Sequence, residues 1–381
     1  MRTRTVMVVY GTRPEAIKLA PLVAELRATR DVEAVTVVTG QHRAMLDQVN
    51  HLFGIVPEVD LDVIAPRQQL HEVTHRVLAG LTDVLRAVRP DLVVVQGDTT
   101  TSFVAALAAF YEQVPVVHVE AGLRTRNPYD PFPEEMNRRL TTQLTTLHLA
   151  PTPVSRANLL HDGTDPADVV VTGNTVIDAL LWVVARRLPL EDPALSVLAE
   201  GPSVLVTSHR RESWGEPMAR TAQAVARLAK EFSDVQFLLP AHLNPVVREV
   251  LLPPLDGMAN VTITAPLSYS DFAFAMDSCR VVLTDSGGVQ EEAPSLGKPV
   301  LVLRETTERP EAVDAGTVRL VGTDEELIVE SVSTLLTDHT AYDAMARSVN
   351  PYGDGRAVPR CRAAIESLLG LGDRLPDFAP R

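Results

Sequence analysis

The chain has 381 residues, 45% hydrophobic and 22% charged, enough for two domains that each bury a core of their own. Its 49 acidic against 35 basic residues leave a net charge of −14, which repels a nucleic-acid duplex unless the cations gather on one face, and the sequence holds no such basic block. No apolar run reaches the ~20 residues of a membrane span, and Cys279 and Cys361 are too few for a disulfide framework or a cysteine metal cage.

The apolar stretch at 6–10 is shorter than the ~7–15 residues of a signal peptide's apolar region, and it reads as the first strand of a cytoplasmic protein. Further β-branched runs at 35–39, 92–96, 116–119 and 169–172, then at 204–207, 235–239, 261–264, 281–284 and 300–303, alternate with helical patterns. Such alternation predicts an α/β fold of parallel sheets joined by crossover helices. A helical stretch at 176–188 and a polar, Pro-containing segment after it mark the middle of the chain. The expected domains are 1–172 and 173–356, both Rossmann-like, with 357–381 forming a helix and a fraying Pro-rich tail that packs on either half.

In open parallel sheets, ligands bind beyond the carboxyl ends of the strands, where loops run into helix amino termini. The polar clusters fall at those places. After the first run comes Gly11-Thr12-Arg13-Pro14-Glu15, with capping-box spacing between Thr12 and Glu15 and a proline suited to a first helical turn. Capping leaves Arg13, and Lys18 about a turn further on, unexplained; both suit a phosphate or carboxylate. The run at 92–96 leads into Gly97-Asp98-Thr99, where Asp98 is either an N-cap or a reacting carboxylate. The run at 116–119 leads to Glu120, and a Pro-rich loop precedes Glu134-Glu135 at a helix start. A first-turn glutamate commonly answers the helix dipole, but three acidic segments at one sheet edge point to acid–base chemistry.

In the second half, Ser208-His209-Arg210-Arg211 follows the run at 204–207, and Ala241-His242 follows that at 235–239. A histidine followed by two arginines makes an anion site. Asp285-Ser286-Gly287-Gly288 would let backbone amides approach a pyrophosphate, with Glu292 about one turn in and within reach of ribose hydroxyls. Arg309 adds a cation at the same edge. One motif points elsewhere: His71-Glu72-Val73-Thr74-His75 matches the H-E-x-x-H of zinc proteases. A pattern with two free positions arises by chance, no third ligand is evident, and 70–88 reads as an amphipathic crossover helix, so no metal is expected.

The segments GTRPEAIKLAPL, GDTTTS, HVEAGLRT, PFPEEMNRRL, TGNTVIDAL, HRRES, HLNP, TDSGGVQEEAPSLGKPVLVLRETTERPEAV, AGTVRLVGT and NPYGDG run in that order from Gly11 to Gly355. Together they closely resemble the bacterial non-hydrolysing UDP-N-acetylglucosamine 2-epimerases. The resemblance implies a GT-B-like architecture, two Rossmann-like domains with parallel sheets facing across a cleft. It also implies interconversion of UDP-N-acetylglucosamine and UDP-N-acetylmannosamine with no metal or nicotinamide cofactor, usually in a homodimer. By motif it puts catalytic and sugar-contacting roles on Asp98, Glu120, Glu134 and His209. UDP contacts fall on Arg13, Lys18, Phe272, Ser286, Gly287, Gly288, Glu292 and Arg309, with a backbone contact at Leu267. A second, activating UDP-N-acetylglucosamine would meet Gln41, Arg67, Glu134, Arg210 and His242; some relatives carry another glutamine where this chain has Ala44.

The hydrogen on carbon 2 of such a sugar adjoins no carbonyl, so its direct removal would leave an unstabilised carbanion. Stretching the bond from carbon 1 to UDP first makes the sugar oxocarbenium-like and the neighbouring proton acidic. The expected route is therefore elimination to a 2-acetamidoglucal plus UDP, then re-addition. Inversion needs acid–base groups for two faces: Asp98 and Glu120 transfer protons, Glu134 positions or relays, and His209 assists the departing phosphate. The alternatives are a glycosyltransferase of the same architecture, a hydrolysing epimerase and a non-catalytic UDP-sugar sensor.

Overall fold

A computed structural model of the chain describes residues 2–40, 43–63, 65 and 68–380, with only the backbone at 43, 44 and 212. Its N-terminal sheet consists of β1 (Arg4–Tyr10), β2 (Val32–Val38), β3 (Val59–Asp60), β4 (Leu92–Gln96), β5 (Val116–Val119), β6 (Leu147–Ala150) and β7 (Val169–Val171). The strands lie in the order β3-β2-β1-β4-β5-β6-β7, every pairing parallel. β4 is buried throughout and β1 from its third residue on, as strands covered on both faces must be. On one face Met7, Val9, Val93 and Val95 join the core that includes Val73, Val77, Leu81 and Leu85. Those last four repeat at every fourth residue of helix Leu70–Val88, which is the stripe that turns a helix onto a sheet.

A second sheet consists of β8 (Ser203–Thr207), β9 (Gln236–Pro240), β10 (Val261–Thr264), β11 (Val281–Thr284), β12 (Val300–Val302) and β13 (Val318–Leu320). Its order is β10-β9-β8-β11-β12-β13, again all parallel. Val204, Val206, Phe237, Leu283 and Leu301 share a core with Met218, Ala222 and Val225 of helix Glu216–Glu231 and Ile328 and Val332 of helix Glu325–Thr337. In both sheets the chain reverses its direction of growth beside the first strand, between β1 and β4 and between β8 and β11. That reversal is where an open α/β sheet offers a crevice for ligands. The alternation of runs and helices thus produces two Rossmann-like units of a GT-B-like α/β fold. The strands β3, β6 and β13 have no counterpart among the β-branched runs: β3 is two residues long, β6 carries His148 and Ala150, and β13 carries Arg319.

The two compact units are Met1–Ala179 with Tyr352–Pro380, and Leu180–Pro351. The change of unit lies inside helix Thr175–Arg186, beyond the expected boundary at 172/173, and the return comes at 351/352 rather than 356/357. Local hydrogen bonds explain the shift. The Asn174 N–H donates to the Tyr352 carbonyl at 2.7 Å, and the Asp178 carboxylate accepts from the N–H groups of Ala357 and Val358 at 3.1 and 2.9 Å. The first turn of the helix therefore belongs with the returning segment. Helix Ala357–Leu368 packs in the N-terminal unit, where Arg362 pairs with Glu25 at 3.4 Å. The tail after it does not fray as expected. The Phe378 N–H donates to Val171 of β7 at 2.7 Å, its side chain is 4% exposed, and the Arg360 guanidinium lies 5.5 Å from the ring centre. Among the described residues no helix is long and apolar enough to cross a membrane.

Candidate active-site clusters

The loop after β1 is shaped by one buried carboxylate. Glu15, 1% exposed, accepts from the N–H groups of Gly11 and Thr12 at 3.0 and 2.7 Å and from the Thr99 hydroxyl at 2.6 Å. It caps helix Arg13–Ala28 and ties that turn to the loop carrying Asp98. A β-carbon on Gly11 would lie 2.1 Å from the Thr39 hydroxyl and 2.5 Å from that of Thr101, so only glycine fits where these loops meet.

Glu120 follows β5 with φ of 62°, a left-handed backbone that costs a residue with a β-carbon about 1–3 kcal/mol and persists where surroundings hold it. What holds it is visible. Lys18 Nζ donates to both carboxylate oxygens, at 2.6 and 2.7 Å, Gln96 Nε2 donates to Oε2, and Asn174 Nδ2 donates to Oε1 at 3.1 Å. Glu120 is an acceptor in each of these, the role of an ionised carboxylate. Asp98 is held differently. Arg138 donates to Oδ2 at 2.7 Å and Asn137 to the Asp98 carbonyl at 2.9 Å. Burial pushes the Asp98 carboxyl above its usual range; Arg138 and Lys18 oppose this, while the neighbouring carboxylates of Glu120 and Glu134 add to it. The cluster therefore sets Glu120, which accepts from Lys18, Gln96 and Asn174, beside Asp98, whose carboxyl burial pushes above its usual range. Unequal surroundings of this kind are how a site can hold both a base and an acid.

The adjacent glutamates at the start of helix Glu134–Leu144 separate by role. Glu135, 0% exposed, accepts from the N–H groups of Thr125 and Arg126 at 3.0 and 3.2 Å and pins the loop. Glu134 lies near enough for its charge to help raise the Asp98 carboxyl. The fully buried His118 ring puts Nε2 2.7 Å from the Gly97 carbonyl. A carbonyl only accepts, so Nε2 carries the proton, and burial holds the ring neutral, at about 4, against the pull of that hydrogen bond.

In the C-terminal unit the loop after β8 is organised around Asp285, the first residue after β11. Asp285 Oδ2 accepts from the N–H groups of His209 and Arg210 at 2.7 and 2.8 Å and from the Ser208 hydroxyl at 3.3 Å, and His209 Nδ1 lies 3.2 Å from Oδ1. Burial works to raise the Asp285 carboxyl, but the His209 ring and these N–H groups hold it below its usual range. His242 stacks on His209, ring centres 5.9 Å apart and 13° from parallel. Beyond Ser286, a β-carbon on Gly287 would come within 3.2 Å of the Arg309 guanidinium. That guanidinium is bound by Glu291 at 2.8 Å and Glu308 at 2.9 Å. Glu292, 8% exposed, accepts from the Tyr269 hydroxyl at 3.1 Å. Leu267 and Phe272 flank that hydroxyl in sequence, Phe272 in helix Tyr269–Ser278.

The structure thus gathers Lys18, Asp98, Glu120 and Glu134 in the N-terminal unit, with Arg13 half-buried at the head of its helix. It gathers His209, Arg210 and His242 at one place in the C-terminal unit, and Gly287 with Arg309 at another. Lys18, assigned to UDP through the resemblance, has the Glu120 carboxylate as a partner. Gln41 and Arg67 lie outside the described residues. Residue reading gave no role to Gln96, Arg138, Asn174 or Asp285; the signal available for Asp285 was its place directly after a strand, ahead of the small residues. His71 and His75 are exposed on helix Leu70–Val88, and Glu72 caps that helix by accepting from the Gln69 N–H at 2.7 Å. Among the described residues no group of three or more His, Cys, Asp or Glu side chains is placed to hold a metal ion.

A family profile for UDP-N-acetylglucosamine 2-epimerase matches residues 24–366. The chain is similar to the UDP-N-acetylglucosamine 2-epimerase of Escherichia coli K12, 50% identical over 375 residues that cover 95% of this chain and 98% of that one. A solved structure from Listeria monocytogenes is similar over 100% of both chains, at 46% identity and a TM-score of 0.94. The UDP-GlcNAc 2-epimerase of Neisseria meningitidis, solved bound to UDP-GlcNAc, is 46% identical, with 96% of this chain and 100% of that chain covered and a TM-score of 0.85.

Proposed function

Because the chain belongs to the UDP-N-acetylglucosamine 2-epimerase family, we propose that it inverts carbon 2 of UDP-N-acetylglucosamine, giving UDP-N-acetylmannosamine, without net hydrolysis. The observation that carries the proposal is the placing of Asp98 and Glu120 in one cluster with unequal surroundings, Glu120 accepting from Lys18 and Asn174 and Asp98 pushed up by burial. In the first half-reaction the carbon 1–oxygen bond breaks, its electron pair leaves with UDP, and a carboxylate takes the carbon 2 proton as the 2-acetamidoglucal forms. In the second, the other carboxyl delivers a proton to the opposite face and UDP adds back to carbon 1. Asp98 and Glu120 carry these protons, Glu134 positions or relays, and His209 answers the charge growing on the leaving diphosphate, an interaction worth on the order of 3 kcal/mol. Arg13, the backbone at Ser286–Gly288 and Arg309 hold UDP until it returns.

Proton NMR of the purified protein with UDP-N-acetylglucosamine in heavy water tests the reading. A second isomer with deuterium at carbon 2 and no accumulating UDP supports it; free UDP with free sugar would identify hydrolysis, and no isomer at all would refute epimerisation. The family resemblance further supports a homodimer and an activating second UDP-N-acetylglucosamine near Arg210 and His242. The stacking of His242 on His209 gives such a ligand a route to the reacting group.

A further inference from the structure

We propose that Asp285 is the positioning residue that turns the Nδ1–H edge of the His209 imidazole to its own carboxylate, so that the ring, once protonated, presents Nε2–H to the departing diphosphate. The inference rests on reading His209 as a group of the epimerisation, and it follows from how the two oxygens of Asp285 are divided.

Asp285 is 0% exposed and sits at the head of the loop after β11. Its Oδ2 is taken by the N–H groups of His209 and Arg210 and by the Ser208 hydroxyl, so the carboxylate is anchored to the very loop that carries the imidazole. Among the described residues Oδ1 is buried with no hydrogen bond of regular geometry, and the polar atom placed to supply one is His209 Nδ1, 3.2 Å away. A carboxylate oxygen accepts and does not donate. The neutral ring must therefore carry its hydrogen on Nδ1 and leave a lone pair on Nε2; the protonated ring donates from Nε2 while the buried carboxylate balances its charge. The His209 side chain is 43% exposed, so it is held at one edge and open at the other. The His242 ring stacked on it limits rotation about the remaining side-chain torsion.

Asp285→Asn separates anchoring from tautomer control. The N–H groups of His209 and Arg210 still require an acceptor, so the amide oxygen stays on their side and the amide NH2 turns to Nδ1. A donor there forces the ring to Nε2–H, the reversed tautomer. In full-length protein labelled with 15N-histidine, and assigned by the signal missing from His209→Gln, long-range 1H–15N NMR at neutral pH reports the state directly. The expected result is Nδ1–H in the wild type and Nε2–H in Asp285→Asn, with kcat lowered ~10²-fold or more, because the neutral amide no longer balances the protonated ring, and with KM and UDP affinity little changed. An Nε2–H signal in the wild type, which needs no variant to fold, overturns the proposal, as does an unreversed tautomer in the folded variant. Reversal without loss of turnover supports the hold on the ring and instead removes His209 from the reaction, so the two readings fail separately.

Discussion

Replacing Asp98 by Asn deletes a titratable proton but leaves an oxygen for the 2.7 Å hydrogen bond from Arg138, so the loop keeps its shape and loses its acid–base group. Turnover should fall ~10²-fold or more while UDP binding is nearly intact. Steady-state kinetics and calorimetric UDP titration check this, and unchanged turnover would remove Asp98 from the mechanism. Gly11→Ala has the opposite character. It touches no reacting atom, yet its methyl has 2.1 Å to the Thr39 hydroxyl, and such overpacking should cost about 1–3 kcal/mol in a urea melt. A melt that matches the wild type would mean that the loops part easily. At this scale the sequence reveals which charged residues stand at strand ends, because charged residues after β-branched runs cannot be absorbed by a core. It does not reveal who holds them. Lys18 meets Glu120 across 102 residues and Asp285 meets His209 across 76, and no local spacing encodes either meeting.

The Pro-rich composition of the last residues suggests an unattached tail, but a single buried ring decides otherwise. Phe378→Ala should cost on the order of 3 kcal/mol by removing the cover of the β7 edge, measurable by denaturant unfolding; an unchanged midpoint would return the tail to the frayed state. A lone aromatic residue has no periodicity, which is why the sequence signal failed here, while helix Leu70–Val88, with its repeating apolar residues, was legible to its ends. Asp178 makes a second element-scale prediction. Burial raises its carboxyl from 3.8 to about 6, although the N–H groups of Val358 and Ala357 pull the other way. Between those two values the folded chain binds more protons than the unfolded one, so this group's contribution to stability is largest at low pH and is lost as pH rises through about 6. The fall is on the order of 3 kcal/mol. The difference in unfolding free energy between wild type and Asp178→Asn should shift in the wild type's disfavour by about 2 kcal/mol of this between pH 4 and pH 6. A pH-independent difference would contradict the burial of this charge.

For the whole molecule, length and strand alternation disclose two parallel α/β units, because one strand–helix period recurs across a chain too long for one sheet. The exact crossing points stay hidden, since they depend on Asp178 and Asn174 reaching the segment that returns at Tyr352. With net charge −14, anion binding must rely on a few local cations, and UDP at 100 times its dissociation constant should stabilise the fold by about 2.7 kcal/mol. Thermal unfolding with and without UDP measures it, and no upward shift would contradict a UDP site in the folded chain. The central claim is that the bond between carbon 1 and the diphosphate breaks and re-forms during each inversion. UDP-N-acetylglucosamine carrying 18O in that bridging position tests it most directly, by 31P NMR during turnover. Migration of the label into the non-bridging positions of the β-phosphate, in step with epimerisation, is the predicted result; inversion at carbon 2 with every label still in the bridge would contradict it.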